Sequence, residues 1–581
     1  MLRLIFLLSV FAATPVLADP AADFARLIED FEAHELAHDP IRAGRRGDLE
    51  AASRWPDNRP ETLADKLSNE RAFRDRLAAI DEASLDENDQ VSHLVMAHLL
   101  DSRLAAAEFE PQRMSFTNDS GFFSVPVQVA SSTRARSVEA AEAWIARLDG
   151  IADYFATQAA WLERGVASGF VQPELVVRRV IEQLESVLAI DPDEHPLLSP
   201  MQQLPDHIEQ AERERLRRAA RSSLVESALP AYRELLTFFQ DRYLAEPRAT
   251  IGISDVPGGR EYYRWLVRHH TTLDTTPEAV HQQGLAEVER IRGEMEAVIE
   301  QTDFEGSFAE FLHFMRTDPQ FYAESERELL MQAAWIAKRA DDAMPRFFRH
   351  LPRLPYGVRA VPGSIAPNYT TGRYWSGDLD TGIAGGYMVN TYRLDQRPLY
   401  ELPALTLHEA VPGHHHQVAI AQELENVPEF RRNTYITAFG EGWALYTEWL
   451  GIEMDIYETP YEHFGRLTYE MWRACRLVVD TGIHYFGWTQ ASAEACLLEN
   501  SALAPHNVRT EVERYISWPG QALAYKTGEL LIRELRAEAE SALGAEFDVR
   551  DFHDHLLAVG AIPLEALALR MRNWITENQG D

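Results

Sequence analysis

The sequence predicts a mostly α-helical protein with one small β patch, and three observations carry that expectation. Apolar residues recur at helical spacing along most of the chain. Several of these stretches open on helix-starting chemistry: "TTPEAVHQQGLAEVERIRGEMEAVIEQ" has threonine caps, a proline in the first turn and an early acidic residue. Only residues 351–398 break the pattern, with glycine, proline and aromatics in place of helix formers. At 581 residues the chain exceeds one simple core, so two or more packed substructures are expected. The turn-rich "AEPRATIGISDVPGG" suggests a boundary near residue 250, between an N-terminal helical region (19–250) and a second region (251–581).

In chain order, "MLRLIFLLSVFAATPVLADP" comes first, with one basic residue, an apolar run and small residues before Asp19. It reads as a signal peptide, residues 1–18, cleaved after Ala18, and so as export to the periplasm or beyond. No cysteine stands at that point to take a lipid. "AADFARLIEDFEAHELAH" spaces Phe24, Leu27, Ile28 and Phe31 as a helix that Asp39-Pro40 stops. Helical stretches follow over much of 61–110, 136–168, 205–245 and 277–300. Within 351–398, "GGYMVNTY" reads as a strand. Helix returns in "LYELPALTLHEAV", "FGEGWALYTEWLGIE", "RLTYEMWRACRLVVDTGIHYF" and "PGQALAYKTGELLIRELRAEAESAL".

The formal net charge is −35, from 91 acidic and 56 basic residues. Such a surface repels phosphate backbones and anionic lipid, which argues against nucleic-acid partners. After the leader no apolar run is long enough to insert in a membrane. Cys475 and Cys496 are the two cysteines; they lie in successive helical patterns, so a disulfide and two free thiols are both open.

Two segments have zinc-peptidase character. "HELAH" places His34 and His38 at i and i+4 on one helical face, but that helix ends at once and no partner helix offers a third ligand. In "HEAVPGHHHQ" the i+4 position from His408 is Pro412, which binds no metal. On an unbroken helix His415 falls in line with His408; a bulge at Pro412-Gly413 that absorbs two residues would bring His414 there instead. Spacing leaves both open. Glu441, in "FGEGWALYTEWLGIE", stands 27 residues after His414, a separation that suits two antiparallel helices, and Glu448 shares its face. The aromatics around both glutamates argue for burial, where an unpaired carboxylate would be costly.

Together "HEAVPGHHHQ", "GEGWALYTE", "RLVVDTGIHYFGW" and "RYISWPGQALAYKTGELLIRELR" resemble, in order and spacing, a bacterial family labelled a domain of unknown function. That family is distantly similar to the gluzincin oligopeptidases of the thimet oligopeptidase and neurolysin type, and to thermostable metallocarboxypeptidases. The resemblance implies zinc held by His408, His414 and Glu441 with Glu409 as general base. It also implies a two-lobed helical fold with a central cleft and the β patch beside the active site. The longer histidine spacing departs from ordinary gluzincins.

An oxyanion donor is sought in Tyr525 and His484, both inside the matching segments. Arg514 and Arg476 are candidates for a substrate carboxylate or for plain salt bridges. Tyr387 and Asn390 of the strand, and more weakly Tyr369 and Tyr374, are candidates to line bound substrate. The expected function is therefore an exported zinc peptidase acting on short peptides. A helical peptide-binding protein with a degenerate histidine cluster and a zinc hydrolase of another amide or ester are the alternatives.

Overall fold

A computed structural model describes residues 19–363, 365–379, 382–425 and 427–579, so the leader at 1–18 lies outside the described residues. The protein is 69% helix and 4% strand, which makes it mostly α. The expected helical stretches resolve into helices such as Pro20–His38, Glu87–Ala107, Ile151–Ser168 and Gln210–Ser223. Asp19 caps the first by accepting the Ala22 N–H, and its apolar stripe Phe24, Leu27, Ile28 and Phe31 is buried. No described helix is long and apolar enough to cross a membrane.

One hydrophobic cluster runs from Phe24 to Ile575, so both sides of the turn-rich stretch near residue 250 contribute to the same core. Polar links also cross that point. Gln172 donates to the Ser517 carbonyl at 3.0 Å, and the Ser517 hydroxyl donates to Asn118 Oδ1 at 2.9 Å.

Seven helices position the site: α1 (Pro277–Ile299), α2 (Leu402–Glu409), α3 (His414–Glu423), α4 (Thr437–Leu450), α5 (Pro460–His484), α6 (Pro505–Ser517) and α7 (Ala524–Leu543). A Thr459–Glu462 capping box starts α5, which is then buried without interruption from Phe464 to His484. Helix α1 lies against it where Gly284 leaves no room for a side chain: a Cβ there would sit 2.7 Å from Leu477 Cβ. At the crossing of α4 and α7, a Cβ on Gly442 would meet Gly528 Cα at 2.5 Å, and one on Gly528 would meet the Ala438 carbonyl at 2.0 Å. Lys526, fully buried, ties α1, α5 and α7 together, its Nζ lying 3.1 Å from Glu287, 2.9 Å from Glu470 and 2.8 Å from Glu529.

The β patch is a three-stranded sheet of β1 (Tyr356–Ala360), β2 (Gly372–Trp375) and β3 (Gly385–Val389) in the order β1-β3-β2. The strand expected in "GGYMVNTY" is the central one and is buried throughout. It pairs parallel with β1 (Val358 opposite Tyr387) and antiparallel with β2 (Tyr374 opposite Tyr387).

The glycine crossing yields a first expectation. Gly528→Ala forces α7 away from a rigid backbone carbonyl and lowers unfolding stability by about 1–3 kcal/mol. Urea unfolding checks it; a wild-type midpoint would show that the two helices are free to separate.

Candidate metal centre

The broken histidine motif folds as two helices, not as the single bulged helix allowed by its sequence. Helix α2 ends at Glu409, and the chain turns through Ala410 (ψ −116°), a cis Val411–Pro412 bond and Gly413 (ψ −132°) before α3 starts at His414. A Cβ on Gly413 would fall 2.0 Å from the His408 carbonyl, so only glycine fits this turn. The turn brings His414, and not His415, alongside His408. Their rings stand 4.7 Å apart at 89°. His415 faces the sheet, with Nδ1 3.1 Å from the Tyr374 hydroxyl and Nε2 2.9 Å from the Leu354 carbonyl.

Helix α4 supplies Glu441. Its Oε2 lies 3.4 Å from His408 Nε2 and 3.3 Å from His414 Nε2, yet it makes no hydrogen bond. Two ligand atoms about 2.1 Å from one ion at a tetrahedral angle stand roughly 3.4 Å apart, so both carboxylate-imidazole separations suit a shared zinc ion, and the three donor atoms all lie within 4.8 Å of one another. Trp443 fastens α4 to the turn by donating to the Pro412 carbonyl at 2.8 Å. Behind His408, Nδ1 is 2.8 Å from Glu448 Oε1, which also receives Arg473 at 3.2 Å. That buried carboxylate fixes the ring with Nε2 toward the centre.

The electrostatics fit the same picture. Burial pushes the His408 imidazole down, but the neighbouring carboxylates of Glu441 and Glu448 outweigh it and raise the ring to about 9. Burial pushes Glu441 up, but His414 and His408 together hold it well below the usual carboxylate range. Glu441, Glu448 and Glu409 all act on His408, so the surroundings of this ring favour positive charge.

Glu409, the last residue of α2, is buried and accepts the Tyr374 N–H at 2.7 Å. That N–H belongs to the outer edge of β2, so the open edge of the sheet borders the centre. Tyr525, near the start of α7, feels the charge of Glu441; burial is the larger cause that raises its phenol above its ordinary range. Tyr435 behaves alike. Although 51% of it is open to solvent, the surrounding protein and then Glu441 raise its phenol well above 10, so both rings stay neutral donors.

Other residues singled out in the sequence sit elsewhere or are already engaged. His484 is fully buried, with Nδ1 on the Ile253 N–H and Nε2 2.9 Å from the Tyr515 carbonyl, so neither nitrogen is left for an oxyanion. Tyr387 lies beneath the sheet, its hydroxyl 3.1 Å from Thr406 Oγ1. Asn390, also fully buried, donates to the carbonyls of Ala366, Tyr369 and Thr370 and so braces a loop instead of lining a substrate path. Arg514 is held by Glu511 at 3.0 Å and Gln521 at 2.6 Å. Cys475 and Cys496 are free thiols.

In "HELAH", His38 Nδ1 turns back to the His34 carbonyl at 2.9 Å. The group that gathers there is His34, Glu35 and Glu70, and Arg103 already neutralises both carboxylates, at 2.7 and 3.3 Å. Sequence reasoning missed Tyr435 and Arg373. Tyr435 stands six residues before Glu441, outside the helical pattern that drew attention to it.

Fold and site thus define a mostly helical protein with a candidate His-His-Glu metal centre beside a small sheet. The chain belongs to the family described as bacterial proteins of unknown function, DUF885, whose model matches residues 40–571. No curated protein matches it. Among solved structures, a candidate lipoprotein of Colwellia psychrerythraea is similar at 26% identity and a TM-score of 0.87, covering 96% of this chain and 100% of that one. A candidate lipoprotein of unknown function from Shewanella oneidensis shares the fold at 18% identity and a TM-score of 0.73, over 94% and 99% of the two chains.

Burial pushes the His484 imidazole down to about 3. Since the unfolded value is about 6.5, its stabilisation is complete above pH 6.5 and is lost as pH falls toward 3. His484→Gln therefore reduces the slope of unfolding free energy against pH, between 6 and 4.5, by about 1.4 kcal/mol per unit. An unchanged slope in urea titrations would mean that the ring titrates normally.

Proposed function

We propose that this protein is a zinc-dependent peptidase of short peptides, working through His408, His414, Glu441 and Glu409. The observation that carries the reading is the spacing of Glu441 Oε2, 3.4 and 3.3 Å from two imidazole nitrogens on separate helices, with no hydrogen bond of its own. A nitrogen-nitrogen-carboxylate donor set suits zinc with a fourth position for water, and Tyr435 and Tyr525 lie within reach of the Glu441 charge. When bound, zinc supplies Lewis acidity and lowers the pKa of water.

The chain's own residues account for the rest. Glu409, positioned by the Tyr374 N–H, takes the proton of the attacking water and returns it to the leaving amine. The neutral phenols of Tyr525 and Tyr435 are donors for the oxyanion that develops as the carbonyl is attacked. Glu448 and Arg473 hold the His408 tautomer through the cycle. The open edge of β2 offers main-chain groups to an extended peptide. The apolar leader supports export to the periplasm.

Two outcomes are expected. Plasma mass spectrometry of the zinc-supplied protein finds about one zinc per chain; His414→Ala loses it and His34→Ala keeps it. A zinc that follows His34 instead would move the centre to the first motif. Glu409→Gln keeps the zinc and loses peptide cleavage by about a thousandfold or more in kcat/KM, whereas retained cleavage would remove Glu409 from the mechanism.

A further inference from the structure

This acidic chain, with a net charge of −35, gathers three arginines on the Tyr525 side of its candidate centre. Arg476 of α5 lies over the Tyr525 ring, Cζ 4.1 Å from its centroid. Arg514 of α6 and Arg476 share one carboxylate, Glu511, at 3.0 and 3.1 Å. Arg476 is 3% exposed, and its Nη1 has no hydrogen-bond partner. Arg373, next to Tyr374 on the edge strand β2, rests over the Tyr369 ring at 5.4 Å; among the described residues its guanidinium has neither a carboxylate nor a hydrogen-bond partner. It is near enough to Glu409 and Arg514 for their charges to act on it.

Three positive charges against two carboxylates, Glu511 and Glu409, leave an excess of one beside the candidate centre. A buried guanidinium nitrogen without a partner is costly, and self-repulsion among the arginines adds to the cost. A planar anion that accepts two hydrogen bonds relieves both. The region draws its guanidinium groups from two elements: Arg373 from the sheet, and Arg476 with Arg514 from the helices.

We propose that Arg373, Arg476 and Arg514 form a receptor for the free α-carboxylate at the C-terminus of a short peptide, so that the protein acts on peptide ends and not within long chains. This inference rests on the peptidase reading for its substrate, but the receptor itself requires no metal. Arg373 is the member to test, because it is exposed and holds no structural partner. Arg476 and Arg514 both brace Glu511, and their loss would disturb α6.

The experiment is calorimetric binding to the metal-free protein, followed by cleavage by the zinc-loaded protein. Three acetylated tripeptides serve as probes: trialanine as the free acid, its C-terminal amide, and the amide with glutamate as last residue. The acid is expected to bind about ten- to a hundredfold tighter than the alanine amide, and the glutamyl amide no better than the alanine amide. Arg373→Gln is expected to bring that ratio down to within about threefold of unity. A loss acting through Glu409 would lower acid and amide cleavage alike, so the ratio alone reports on the receptor. Equal binding of acid and amide, or a glutamyl amide as good as the acid, overturns the proposal. If the acid binds selectively and no peptide is cleaved with zinc present, the receptor stands and the peptidase reading falls. If acid and amide are cleaved equally, the peptidase reading stands and the receptor falls.

Discussion

The site depends on one buried charge. Lys526 has no access to water, and its ammonium is held by three carboxylates from three helices. Burying an ammonium alone would cost several kcal/mol, so α1, α5 and α7 can close on one another only with Glu287, Glu470 and Glu529 in place. Arg290 and Arg466 further compensate Glu470. The arrangement fixes how α7 is rotated about its axis. Tyr525 precedes Lys526, so a lysine locked toward α5 and α1 turns the tyrosine toward Glu441. A polar network in the core thereby sets an aromatic group at the site.

Close backbone contact does the same for α4. With Gly442 against Gly528, the two helices approach nearer than any pair of side chains would allow, and Glu441 is carried to within 3.4 Å of both histidines. Two of the three candidate donors are then held from behind: His408 by Glu448 and Arg473, and Glu441 through α4, which Trp443 fastens to the Pro412 carbonyl. Rigidity of this kind keeps three donors pointing at one spot without a bond between them.

Much of this was legible in the sequence. Helical periodicity located the helices, because burial on one face writes itself into spacing. The aromatics around Glu441 marked a buried helix, and proline with glycine marked a break. The choice between His414 and His415 was not legible, because it depends on backbone angles at Ala410 and Gly413 that no spacing rule encodes. His484, Tyr387 and Asn390 look functional as letters, yet each satisfies a neighbour's backbone or hydroxyl group inside the fold. Polar residues that serve packing and polar residues that serve chemistry share a composition; only their partners tell them apart. Arg373 escaped notice for the opposite reason, since a lone arginine in an irregular stretch has no pattern to belong to.

The turn between α2 and α3 has a consequence for how such a centre can vary. An unbroken helix rigidly couples its two histidines, so one inserted residue would swing the second ligand about 100° away. Here the histidines ride on separate helices, and the joint between them is free of that phase relation. The distance between the donors is set by how α3 seats against the sheet and α4, through contacts such as His415 with Leu354. Chains of this architecture can therefore lengthen or shorten the joint and keep the same three donors, which hides the centre from any search that reads ligands by a fixed count of residues.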